Sequence, residues 1–321
     1  MRTLILLSMA AFCLLGGCSR TEGERDSQTE IRLGTKAVNT LGDLSDVGDR
    51  IGIYGVRIAG TSAGASGKES WGNELVMDNV RTSDVDPSTG SIGWAGHYYY
   101  PLEEDRSVEF CAYHPYAAAG SDGDCFVEAS APGKAPALHF TLSGQEDVMC
   151  AEPVIGSRSR VPGPLEFRHV LTQLRFRLVD PEGAFAGETL DEIALLDVNT
   201  TGVMDVETGA LGAWGDPAEL AVPGIETVPI TGSEELPQEV GGEVMLQPDL
   251  SSFVIRVVTS RGSYDRVVIR PTSVMGETVE TSFAAGRSYL ITLTFRPLTG
   301  ISLSATVVPW QMGGTGSGVV Q

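Results

Sequence analysis

Cys18 carries the most readily assigned chemistry in this sequence: a thiol placed directly after Leu15-Gly16-Gly17, at the end of an apolar run from Leu4 to Leu15 that Arg2 precedes. A positive start, a short apolar stretch and small residues beside the cut are the parts of a processing signal, and a cysteine at the first retained position is an acceptor for lipid. The run is too short to cross a bilayer as a helix. Residues 1–17 therefore read as a lipoprotein signal peptide and Cys18 as the acylated mature N-terminus. The alternative is an ordinary secretory signal cut elsewhere. Each acyl methylene buried in membrane contributes about 0.8 kcal/mol, so a multiply acylated cysteine would be a lasting anchor for an otherwise water-exposed fold.

Other reactive residue types lack the spacing that chemistry requires. His97, His114, His139 and His169 lie far apart, at neither helical nor Cys-paired metal spacing. The run from Asp84 to Gly90 lacks the full acidic frame and terminal Glu of a calcium loop and reads as a polar turn. Glu103-Glu104-Asp105 would put neighbouring carboxylates on opposite faces of a strand, which suits a solvated turn better than acid/base catalysis. The glycine-rich Gly313 to Gly318 has no following helix to cradle a phosphate and reads as a flexible spacer. No nucleophile elbow, zinc-protease helix or P-loop is present in the sequence. The expectation is a protein that is not an enzyme, with no catalytic residue, metal site or cofactor.

Removing residues 1–17 leaves 304 of 321 residues, enough for two domains of ordinary size. The formal charge is −20, and loss of Arg2 makes the mature chain one unit more acidic, which argues against nucleic acid as a partner. Cys111, Cys125 and Cys150 then remain in an oxidising setting. Cys111 with Cys125 would close a loop of about 15 residues, worth about 3 kcal/mol. Three buried thiols are the equal alternative.

Ser19 to Thr29 is polar and without periodicity, as a tether would be. Beyond it the chain repeats with a period of two. Ile51, Ile53, Val56 and Ile58 form one run; Val108, Phe110 and Ala112 alternate with Ser107, Glu109 and Cys111; Leu174, Phe176 and Leu178 alternate with Gln173, Arg175 and Arg177. Further runs are Phe253-Ile255-Val257, Tyr264 to Ile269, Tyr289-Ile291-Leu293-Phe295 and Ile301-Leu303-Ala305-Val307. Gly, Pro, Ser and Asp clusters separate them, and no helical period persists beyond about two turns. The expectation is an all-β chain folded as two tandem antiparallel β-sandwich domains. Pro162-Gly163-Pro164 marks the hinge, giving a tether at 18–29, an N-terminal domain at 30–165, a C-terminal domain at 166–300 and a terminal segment at 301–321.

The succession Tyr98-Tyr99-Tyr100-Pro101, Val108 to Pro115, Pro164 to Leu171, Ala285-Gly286-Arg287-Ser288-Tyr289 and Ile301 to Trp310 resembles the fimbrillin family of Bacteroidales, lipoprotein subunits of type V pili. The likeness covers essentially the whole mature chain, and the shared order is its specific part. It implies transthyretin-like sandwich domains and export to the outer membrane and cell surface as a lipidated precursor. It further implies proteolytic loss of the first strand and polymerisation by donor-strand exchange into a fimbria that supports adhesion. Glu30 to Lys36 matches the strand lost on maturation, followed by a linker from Ala37 to Asp49. Family processing usually follows arginine, whereas the aligned position here is Lys36, with Arg32 inside the strand.

The implied donor strand is Ile301, Leu303, Ala305 and Val307, whose three larger side chains would contribute about 5–9 kcal/mol gross on burial. The same residues could equally be the last strand of the second sandwich. The implied partners are other fimbrial subunits, as a homo- or hetero-polymer, and the outer membrane through the lipid. The alternative function is a non-polymerising surface lipoprotein, a tip or anchor accessory subunit included, that presents Trp71, Trp94 and Tyr98 to Tyr100 to a host protein or glycan, although a core role suits such aromatics better.

Overall fold

A computed structural model describes residues 28–37, 51–59, 71–86, 88–271, 281–296 and 300–308. Nineteen strands follow in order, and no helix occurs among the described residues. They are β1 (Thr35–Ala37), β2 (Gly52–Ala59), β3 (Leu75–Val85), β4 (Ile92–Trp94), β5 (Arg106–His114), β6 (Cys125–Glu128) and β7 (Ala137–Thr141). Next come β8 (Met149–Ala151), β9 (Val154–Gly156), β10 (Leu165–His169), β11 (Thr172–Val179), β12 (Thr189–Asp205) and β13 (Gly215–Ala221). The last are β14 (Val228–Pro229), β15 (Gln238–Leu246), β16 (Phe253–Thr259), β17 (Gly262–Ile269), β18 (Ser288–Arg296) and β19 (Gly300–Val308).

These strands make three sheets. The eight-stranded one runs β1-β10-β8-β5-β2-β3-β4, with β9 also on β5. A four-stranded sheet runs β15-β11-β18-β19, and a seven-stranded one runs β17-β16-β12-β7-β6 with β13 and β14 on β12. The inward residues of β11, β15 and β18 meet those of β12 and β16 face to face, from Leu174, Phe176 and Leu178 to Ile193, Ile255 and Val257. That is the sandwich the alternating pattern predicts. Most pairings are antiparallel, but β1 lies parallel to β10 and β11 parallel to β18. More than a hundred residues separate each of these pairs in sequence, so the return crossing that parallel neighbours need is available.

β5 departs from the one-sided pattern. Val108, Phe110 and Ala112 face one cluster, while Cys111 and Tyr113 face another, so both sides of the strand are buried. The second cluster also holds Leu138 and Phe140 of β7 and Met204 of β12. β12 is long enough to serve two packings. Its first half pairs with β16 through Leu196, and its second half pairs with β7 from Thr201 onward. Between them the register against β13 shifts, and Asp197 takes φ 53°, a bulge that re-aims the strand from one packing to the other.

Candidate functional site

Apolar residues at every second position need a slot with walls on both sides, and residues 29–37 occupy one. On one flank the Ile31 N–H donates to Tyr98 O (2.8 Å), the Tyr100 N–H to Thr29 O (3.0 Å), the Ile92 N–H to Leu33 O (3.0 Å) and the Thr35 N–H to Gly90 O (2.8 Å). On the other flank the Leu165 N–H donates to Gly34 O (2.8 Å), and Thr35, Lys36 and Ala37 stand in register with Leu165, Glu166 and Phe167. The segment thus joins the β10 edge of the eight-stranded sheet to the stretch at 90–100 around β4 at its far end. Ile31 is 1% exposed and Leu33 4% exposed, both inside the cluster with Phe110, Leu165 and Phe167. Burying two such side chains contributes about 3–6 kcal/mol gross.

Between the inward residues, the Arg32 side chain is 85% exposed and lies 3.6 Å from Glu30. Glu30 also meets His97 Nδ1 at 2.7 Å. That hydrogen bond, with the charges of His97 and Arg32 behind it, holds the Glu30 carboxyl below its usual range. Thr35 is buried, and its hydroxyl donates to Leu165 O (3.3 Å).

The turn before β4 sets the far wall. Asp86 Oδ1 accepts from the Ser88 N–H (2.8 Å), the Ser88 hydroxyl (2.6 Å) and the Thr89 N–H (3.1 Å), and these bonds lower its pKa, the Ser88 hydroxyl foremost. The turn delivers Gly90 at φ 69°, where an added Cβ would lie 2.5 Å from Thr35 O. Only glycine permits that approach without strain. The contribution of Gly90 is invisible in sequence, where Asp84 to Gly90 reads simply as a polar turn; its signal was the glycine closing that turn.

The other predicted positions lie apart from the slot. Ile301, Leu303, Ala305 and Val307 lie on β19, in register with Phe295, Leu293, Ile291 and Tyr289 of β18. β19 is the outer strand of its sheet, and Ile301 packs against the C-terminal core. Cys18, most of the linker and the tail after Val308 fall outside the described residues.

The aromatic residues divide between core and surface. Trp71 is 1% exposed and packs edge-on to Tyr54 (5.9 Å), and Tyr100 is 5% exposed and packs edge-on to Phe110 (6.2 Å), because both fill cores rather than loops. Trp94 and Tyr98 are half-buried, and Tyr99, 38% exposed, stacks on His97. The cysteines also differ from both sequence alternatives. All three are free thiols, with Cys111 and Cys150 buried and Cys125 exposed on β6. Burial pushes the Cys150 thiol up to about 12 and that of Cys111 well above its ordinary value. The histidines have ordinary partners: His139 lies 3.6 Å from Glu128, and buried His169 lies 2.8 Å from Asp147. No group of metal-ligating side chains occurs among the described residues.

The sequence model of the fimbrillin-like family matches residues 35–310. No curated protein matches the chain. Similar solved structures include a candidate cell adhesion protein from Bacteroides uniformis, at 20% identity and TM-score 0.55, covering 87% of this chain and 99% of that one. A candidate cell adhesion protein from Bacteroides ovatus is similar at 16% identity and TM-score 0.58, covering 90% and 100%. A fimbrial protein from Bacteroides vulgatus is similar at 13% identity and TM-score 0.54, covering 87% and 98%. At these identities the shared property is the fold.

Proposed function

The chain belongs to the fimbrillin-like family, and from that premise we propose that it is a structural subunit of a cell-surface fimbria supporting adhesion. It is exported as an outer-membrane lipoprotein through Cys18 and cut near Lys36, or at Arg32. It is then joined to other subunits by donation of the C-terminal strand. The observation that carries this reading is the docked segment itself: residues 29–37 bridge two strand edges with Ile31 and Leu33 in the core, so their removal would leave an apolar slot with unpaired main-chain groups on both sides. Such a slot is costly to leave open and takes an added strand readily.

A cut after Lys36 releases the contacts to both walls, whereas a cut after Arg32 leaves Leu33 and β1 in place. Lys36 is therefore the productive position in this reading. The domain limits at 30–165 and 166–300 belong to the same proposal, with β12 tying the two units together. Burial of Trp71 and Tyr100 weighs against the glycan-platform alternative.

Limited trypsin treatment of the purified chain should produce an SDS-resistant ladder, and deletion of residues 301–321 should abolish it. A species that stays monomeric after the N-terminal segment is released would overturn the proposal.

A further inference from the structure

Among the described residues, the two most exposed large apolar side chains sit in turns of opposite charge. Val161 is 84% exposed and Leu236 77%, against 38–43% for Tyr99, Leu102 and Val268. Val161 follows Arg158 and Arg160 in a stretch from Ser157 to Pro164 that holds no acid, although the chain carries a net charge of −20. Leu236 follows Glu234 and Glu235 in the loop before β15. We infer that these turns are the two halves of a contact between copies of this chain: the Leu236 turn of one molecule sits on Leu102 and Val161 of the next, with Glu234 and Glu235 facing Arg158 and Arg160. This inference rests on the reading of the chain as an assembling subunit and adds a contact between folded bodies that requires no exchange of a strand.

Both turns are ordered before they meet. The Ser157 N–H donates to Arg160 O (2.9 Å) and the Arg160 N–H to Ser157 O (3.2 Å). The Arg158 guanidinium donates to Leu102 O (2.9 Å), and Tyr100 and Pro162 both close over Gly156, so Leu102 and Val161 are held in one patch. In the other turn the Ser233 N–H donates to Leu236 O (3.0 Å) and the Leu236 N–H to Ser233 Oγ (3.1 Å). Gln238 Oε1 fixes the base of that turn by accepting from the N–H groups of Thr231 (2.8 Å) and Gly232 (3.1 Å). Little ordering entropy is then lost on contact. Glu103, Glu104 and Asp105 continue the loop beyond Leu102, which steers an acidic partner to the arginine side of the patch.

The two turns lie at opposite ends of one path through the molecule. The chain passes from Leu165 and Phe167 in one apolar cluster, through Val170 and Leu171 in a second, to Leu174, Phe176 and Leu178 in the third. The arginine turn leads into Leu165 at the start of that path, and the Leu236 turn leads into Gln238, the partner of Leu178 at its end. Two different patches cannot form a two-fold pair, which needs the same patch on both molecules, so the contact is head-to-tail and repeats. An apolar tip with two charges on each side is a small contact, weak by itself and sensitive to salt.

The test uses uncut residues 19–321 in a Cys125→Ser background, since Cys125 is the exposed thiol. Val161→Cys and Leu236→Cys are introduced singly and together, each protein is oxidised at low salt, and the initial rate of disulfide-linked dimer formation is read on non-reducing gels. The expected result is a rate several-fold higher for the double variant than for either single variant or for Val161→Cys paired with Val268→Cys, with the dimers extending to trimers. Adding Arg160→Glu to the double variant should reduce the rate several-fold, and Glu235→Arg added to that protein should restore it. A rate no higher than that of the single variants or of the Val268 pair overturns the inference, as does a charge reversal without effect or without rescue. The N-terminal segment stays docked throughout, so each of these outcomes is separate from ladder formation after trypsin, which tests strand donation.

Discussion

Leu33 shows how much one side chain decides at this site. It is 4% exposed, and its carbonyl accepts from Ile92, so it is fixed by packing and by pairing together. Leu33→Ala should lower the unfolding free energy of the uncut chain by about 2–5 kcal/mol, read from denaturant midpoints. The same substitution should change nothing once residues up to Lys36 have been removed. Glu30 acts more gently from the rim. Its folded pKa is depressed, chiefly by the hydrogen bond from His97, so its contribution is present above the ordinary carboxylate pKa of 4.5. The contribution disappears as pH falls through the lower folded value. Hydrogen exchange of residues 29–34 should therefore show weaker protection, relative to the protein core, at pH 3 than at pH 6, and Glu30→Gln should remove that difference.

At the scale of the element, β12 is the strand on which the most pairings converge. Sequence periodicity marks it as no more than apolar and polar residues in mixed order, because its two halves pair with different neighbours within one sheet, β16 and then β7, and their inward faces are interrupted at Asp197. Aspartate accepts a positive φ better than most residues other than glycine, and a β-branched residue is strained there. Asp197→Val should destabilise by more than about 1 kcal/mol, and Asp197→Gly should be neutral or stabilising, in thermal melts of the two variants side by side. β5 carries the complementary lesson. The alternation of Val108, Phe110 and Ala112 with Ser107, Glu109 and Cys111 identifies a strand, yet it suggests one wet face, and burial of both faces follows only from a second layer contributed by β7 and β12. β17, by contrast, is an edge strand whose run from Tyr264 to Ile269 is mostly exposed or half-buried, so its pattern alone overstates its share of the core.

Over the whole molecule, the same clusters draw residues from both sides of the Pro162-Gly163-Pro164 stretch. Tyr54, Tyr113 and Leu138 share a core with Leu171, Met204 and Met245. Units that share a core and a strand lose stability together. Equilibrium unfolding in urea should show one transition by both tryptophan fluorescence and far-ultraviolet circular dichroism. Two separated transitions would show that β12 couples the halves weakly.

By itself the sequence determined the class of the chain and the position of most strands, because a period of two and turn residues between runs are local properties that each segment carries. It also singled out residues 30–36 and 301–307 as alternating segments, since that pattern needs no partner to be seen. Only the tertiary structure decided which edges those segments meet, that Gly90 forms the wall against Thr35, that Trp71 and Tyr100 lie inside, and that β12 serves two packings. Those outcomes depend on hydrogen bonds and burial between residues far apart in the chain, and strand pairing of that kind is fixed by the sum of all the faces that must be covered at once.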